Sequence, residues 1–133
     1  MQVNFSPEHK RIIKSRIKDY RKYDQKRFGT CKDSITYEEY LELVIEQEGK
    51  CYWTGREMQI MGDSKLENVS LDRLHCHLPH TKDNCILCQR ALNLGRNDSS
   101  IRDWVLWLES MNILSPALQQ ELDTIRTTST LLS

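Results

Sequence analysis

Between Ser70 and Asn84 the chain reads SLDRLHCHLPHTKDN, and three of its four histidines (His75, His77 and His80) fall in that run. An acid and a guanidinium, Asp72 and Arg73, stand just upstream of them. Two thiols, Cys76 and Cys85, lie within and just after. Groups of these types at this spacing suit two chemistries. One is phosphodiester hydrolysis, in which a carboxylate holds a metal, a cation clamps phosphate and an imidazole takes a proton from water. The other is zinc binding, which takes Cys and His in a tetrahedral set. The remaining reading is a polar loop that does neither.

The elements on either side must position this run. Ser6-Pro7-Glu8 predicts a helix to about Phe28, with Ser6 as N-cap and Pro7 in the first helical position. Its apolar residues are few (Ile12, Ile13, Ile17, Tyr20), so a narrow stripe packs and a basic side is left exposed. Thr36-x-x-Glu39 is a capping box for a second helix that stops at Gly49. From Gly49 to about Asn84 the helical period is lost, and Val69-Ser70-Leu71 reads as a short strand. Asn84 to Leu87 reads as another, followed by a helix from Gln89 to Leu94 that ends at Gly95. Ser99 or Ser100 caps a further helix, Ile101 to Met111, whose tryptophans have the spacing of core residues. Ser115-Pro116 starts a last helix to about Ile125, with a frayed TTSTLLS tail.

Composition narrows the classes. At 133 residues, with 38% hydrophobic and 29% charged residues, the chain is expected to be one soluble domain. It divides into a basic helical segment (1–48), a central core (49–97) and C-terminal helices (98–133). No apolar run approaches the ~20 residues that span a bilayer, and the N-terminus has no secretory apolar stretch, so no membrane partner is expected. Five cysteines without an export signal predict an intracellular, reducing location. The zero net charge conceals a division. Residues 1–33 hold ten Lys/Arg against four acids, an excess that the rest of the chain cancels. Such a basic segment predicts a polyanionic partner, with Lys10, Arg11, Lys14, Lys18 and Arg21 as its contacts.

The order strand, acid-and-imidazole loop, strand, Asn-bearing helix resembles the HNH, or ββα-metal (His-Me finger), endonucleases. It is most similar to the branch that carries C-x-x-[ST]-G, [VL]-D-R-I-D and G-Y-T-x-D-N, then an Asn and a basic residue. Here these are Cys51-Tyr52-Trp53-Thr54-Gly55, Leu71-Asp72-Arg73-Leu74-His75, Pro79-His80-Thr81-Lys82-Asp83-Asn84 and Asn93-Leu94-Gly95-Arg96. The resemblance implies an α+β protein with a small ββα-metal core flanked by N- and C-terminal helices. It implies a Mg²⁺-dependent DNA endonuclease (Mn²⁺ as substitute, RNA not excluded) that leaves 5′-phosphate and 3′-hydroxyl ends. Asp72 and Asn93 would be the metal ligands, a pair that suffices for a hard cation that keeps several waters. Asn84 would hydrogen-bond loop backbone. Arg73, Lys82 and Arg96 would meet phosphate.

The chain departs from the family where it matters for catalysis. Most HNH enzymes place the general-base histidine directly after the metal-binding Asp, and here that residue is Arg73, which is always protonated and a poor base. His75 shares a strand face with Arg73 and is the leading base, as the Asp-Arg-x-His of the non-specific nucleases in the same superfamily also implies. His77, His80 or no base at all are the alternatives. Two further readings remain. An HNH scaffold without its base would bind nucleic acid and cut nothing. A structural zinc on Cys51, Cys76, Cys85 and Cys88 would make the cluster an interaction domain, although Thr54 stands where relatives complete the first C-x-x-C pair.

Overall fold

Helix α1 (Pro7–Phe28) begins where the sequence predicts, because the Ser6 hydroxyl accepts the His9 amide and Pro7 sits where a missing N–H is harmless. It ends at Gly29, whose φ of 79° is the left-handed turn that glycine enters without strain. The computed structural model describes residues 5–60 and 62–132. Helix α2 (Tyr37–Glu46) starts on the Thr36/Glu39 capping box and gives way to a turn before Gly49. Strands β1 (Val69–Arg73) and β2 (Cys85–Gln89) pair antiparallel, with Asp72 opposite Ile86 and Ser70 opposite Cys88. A 3₁₀ turn (Lys82–Asn84) precedes β2, and α3 (Arg90–Arg96) follows it without a loop. Helices α4 (Ile101–Ser110) and α5 (Pro116–Leu132) complete an α+β architecture.

Two boundaries differ from expectation. Helix α3 runs through Gly95 to Arg96 instead of ending at Gly95, and Asn97 follows it with a positive φ of 51°. Helix α5 passes Ile125 and continues to Leu132. Thr124 and Thr127 bond back to the Gln120 and Asp123 carbonyls, so their hydroxyls are satisfied inside the helix. Of the expected frayed tail, only Ser133 lies outside the described residues.

The sheet is buried between two apolar clusters. Strand side chains alternate faces, so Cys85 and Leu87 join Val69, Leu71, Ile13, Ile17, Ile35, Tyr40 and Leu43 on one side. Ile86 and Cys88 join Cys51, Trp53, Trp104 and Leu108 on the other. This is why β2 reads as an unbroken apolar run, CILC, rather than as an alternating one. Beyond β2, the Gln47 carboxamide donates to the Leu87 carbonyl (2.8 Å) and accepts the Leu87 amide (2.9 Å). The Tyr52 amide donates to the same carbonyl at 3.0 Å. None of the helices is long and apolar enough to cross a membrane among the described residues.

Helix α1 is tied to the histidine-rich loop by a buried acid. Asp24, 0% exposed, extends the inward line Ile13, Ile17, Tyr20 by one turn. Its carboxylate accepts from the Ser34 hydroxyl (2.6 Å), the His80 amide (2.9 Å) and His80 Nδ1 (2.8 Å). Tyr20 stacks on the His80 ring at 4.8 Å and Tyr23 meets it edge-on at 5.6 Å. Burial lowers the His80 pKa, with Asp24 opposing only in part. Burial alone would raise Asp24, yet hydrogen bonds from Ser34 and His80 outweigh it and hold the carboxyl below its ordinary value.

Removing this acceptor leaves three donors unpaired, so Asp24→Ala should lose about 3 kcal/mol or more in urea unfolding. The pH dependence follows from the directions. A histidine whose folded pKa is lowered binds its proton more readily when unfolded. Stability is therefore complete above the ordinary histidine value of about 6.5 and declines as pH falls through it. The depressed Asp24 adds a further loss in the acid range, as pH falls below the ordinary aspartate value of about 3.9. Melting temperatures between pH 7.5 and 5 should trace the first decline, and His80→Asn should flatten it.

Candidate active site and basic cleft

Strand alternation sends Asp72 and Arg73 to opposite sides of β1. Asp72 shares the α3 side with Ser70, and Asn93 of α3 donates through Nδ2 to Ser70 Oγ (2.7 Å) and to the Leu71 carbonyl (3.2 Å). The Asn93 side-chain oxygen takes part in neither bond. One turn further along α3, Arg96 donates to Asp72 Oδ2 at 2.9 Å and to the Arg73 and Leu74 carbonyls at 2.6 Å each. Its guanidinium lies over the Trp53 ring at 5.3 Å. Trp53 is presented by the Cys51–Gly55 turn, closed by the Gly55 amide on the Cys51 carbonyl at 2.8 Å. Burial raises the Asp72 carboxyl above the usual carboxylate range, and the neighbouring guanidinium offsets this only in part.

Arg96 is 1% exposed, so it does not offer itself to nucleic acid as the sequence predicts. Its charge is committed to Asp72 and its other hydrogen bonds are to backbone. Lys82 is a second correction, since its ammonium is held by Glu42 (2.6 Å) and Glu46 (2.9 Å) of α2. Arg21 is a third, half-buried with its guanidinium on the Ser34 carbonyl at 3.0 Å. Lys10, Arg11, Lys14 and Lys18 do remain exposed, lining a shallow groove along α1.

Asn84 is buried and lashes the loop over residues 74–84. Its side-chain oxygen accepts the His75 amide (3.0 Å), and its amide donates to the His75 and Pro79 carbonyls (3.0 Å each). The loop then presents His75 and His77 to solvent, ring to ring at 5.7 Å, while His80 is turned inward to Asp24. His80 therefore has no access to a substrate. His75 and His77 line a cleft of about 650 Å³ with Arg27, Arg73, Cys76, Arg96 and residues 97–101 at the start of α4.

The four cysteines proposed for zinc do not converge. Cys85 and Cys88, three apart on β2, fall in the two different core clusters, and Cys76 lies on the cleft beside the Asn97 carbonyl. Cys51 is buried with Cys88 alone. Burial pushes the Cys85 thiol up to about 12. Among the described residues, no three Cys, His, Asp or Glu side chains are arranged to hold a metal.

Three residues of this region escape sequence reading. Asp24 carried a signal, an acid on the apolar line of a helix, where a partner is obligatory. Tyr23 and Arg27 are four apart on α1 and so adjacent, yet only the fold brings Arg73 to them. Arg27 Nη1 donates to the Tyr23 hydroxyl at 2.7 Å and Arg73 Nη2 approaches it at 3.4 Å. The Arg27 hydrogen bond, reinforced by Arg73, holds the Tyr23 phenol below its usual pKa. Comparison of the chain with protein-family models, curated proteins and solved structures finds no match.

The Asp72–Arg96 pair makes a direct prediction. Arg96→Met leaves a buried carboxylate without its counter-charge and should cost about 3 kcal/mol or more in urea unfolding. Removing both charges, as Arg96→Met with Asp72→Leu, should cost less than the single change. A single variant as stable as wild type would show that the pair is solvated.

Proposed function

We propose that this protein is a metal-dependent DNA endonuclease of the HNH, ββα-metal kind. The observation that supports the reading is that Asp72 and Asn93 both lie on the α3 side of the β1–β2 hairpin, while Arg73 at the end of β1 and His75 beyond it line an open cleft that Arg96 also borders. The donor set suits a hard divalent cation, which prefers carboxylate and carboxamide oxygens, and Arg96 takes Oδ2 of the Asp72 carboxylate. Bound there, such a cation would neutralise charge on the phosphate and on the leaving oxygen. The chain's own residues do the rest. Arg73 stabilises the added negative charge of the transition state, and His75 takes the proton from water. Asn84 fixes the His75 backbone at both its amide and its carbonyl, so the imidazole is delivered from a held position.

A second reading has one specific observation behind it. Asp72 is 6% exposed and already faces a cation, Arg96, whose own burial leaves it no easy way out. A chain locked in this way would be a DNA-binding module on an HNH-like scaffold and would cut nothing.

Supercoiled-plasmid nicking separates the two. The endonuclease should nick in Mg²⁺ or Mn²⁺ and stop in EDTA. Asp72→Asn, its folding checked by melting, and Asn93→Ala should abolish nicking. His75→Ala, on an exposed side chain, should slow it by about 10²-fold or more. Intact plasmid in every metal, with the DNA still bound, would leave the binding reading standing.

A further inference from the structure

Two basic surfaces flank α1, and they face different ways. At 100° per residue, Lys10, Lys14 and Lys18 lie to one side of the buried Ile13–Ile17–Asp24 line, and Tyr23 and Arg27 lie to the other. The first side opens onto the shallow groove along α1 and the second onto the cleft that holds His75 and His77. We propose that the cleft binds a phosphate group, clamped by Arg27 and Arg73 and bordered by His75, His77 and the N-terminus of α4. This rests on the reading of DNA as substrate, and it assigns to one flank of α1 the contact with the backbone.

Arg27 and Arg73 come from elements far apart in sequence, yet both guanidinium groups converge on the Tyr23 hydroxyl and lie 5.9 and 5.0 Å from its ring. Two like charges gathered about a neutral oxygen repel, and an anion between them relieves the repulsion. Arg73 is aimed by a further bond to the Leu78 carbonyl at 3.2 Å. The cleft is closed at one end by Asn97 to Ile101, which lead into α4, and the ten-residue helix directs its positive end there. Arg96 lines the floor, 1% exposed and paired with Asp72, so the clamp falls to the two outer guanidinium groups. A single carboxylate, Asp98, also borders the cleft and does not cancel two guanidinium groups. A phosphate meets this demand whether it belongs to a nucleic-acid backbone or is free.

The test measures binding in EDTA, so a protein that cuts nothing still answers. Fluorescence anisotropy with a fluorescein-labelled 20-base-pair duplex would compare wild type, Arg27→Ala, Arg73→Ala and a Lys14→Ala/Lys18→Ala double variant. Arg27 is exposed and its contacts to Tyr23 and Phe28 are within its own helix, so its loss should leave the fold intact even where Arg73→Ala loosens the loop. Each arginine variant should weaken binding about tenfold. Each should also flatten the dependence of log Kd on log salt by about one unit, the signature of one lost phosphate. A parallel titration with inorganic phosphate would follow the His75 and His77 ring signals by NMR. Shifts that vanish in Arg27→Ala, with duplex affinity unchanged, would assign the site to a free phosphate. Wild-type duplex binding by both arginine variants together with unmoved histidine signals would overturn the proposal, as would a loss confined to the Lys14/Lys18 variant.

Discussion

A guanidinium buried at the junction of three segments sets the geometry of the central region. Arg96 of α3 reaches Asp72 and two carbonyls at the end of β1 and rests on Trp53 from the Cys51–Gly55 turn. Burying that charge is tolerable because Asp72 neutralises it and two backbone oxygens take further protons. Each neighbour is constrained in return. The strand must end where its carbonyls turn toward α3, and Trp53 must stay flat beneath the cation. Asp72 keeps one free oxygen at most. Whatever chemistry occurs at this acid proceeds under a charge that the fold itself supplies.

The local elements were legible because their signals are local. Ser6, Pro7 and Gly29 delimit α1, Thr36 and Glu39 start α2, and Ser100 starts α4, each through hydrogen bonds within a few residues. The hairpin and the helix after it also stood out, since Val69 to Leu71 and Cys85 to Leu87 pattern as strands. What could not be read was the use of each charge. Arg96, Lys82 and Arg21 look like surface cations in sequence and are each consumed by a partner 13 to 40 positions away. Likewise His80 and His75 stand five apart in one polar run, and only the approach of α1 separates a buried structural imidazole from an exposed one. Gly95 looked like the stop of the helix that begins near Gln89. Gly95 fits inside the helix with Trp104 against it, so the expected stop did not occur.

The charge asymmetry of the chain also takes a physical form. The basic N-terminal quarter does not present one polyanion-binding face. Burial of Ile13, Ile17 and Asp24 divides it into a lysine groove and an arginine-lined edge, and the second alone adjoins the histidines. Composition registers an excess of cations. Which of them share a surface is fixed by which side of the helix is buried.

The hydrogen bonds around Leu87 have a further consequence. A two-stranded sheet has an outer edge on each strand, and the unpaired amides and carbonyls of an edge are a template for another chain. On β2 the Gln47 carboxamide occupies both backbone groups of Leu87 as a third strand would, and Tyr52 adds a second donor to the same carbonyl. The most apolar segment of the protein thus meets neighbouring molecules with its central pairing positions already filled, and edge-to-edge association between copies is blocked there by one glutamine side chain.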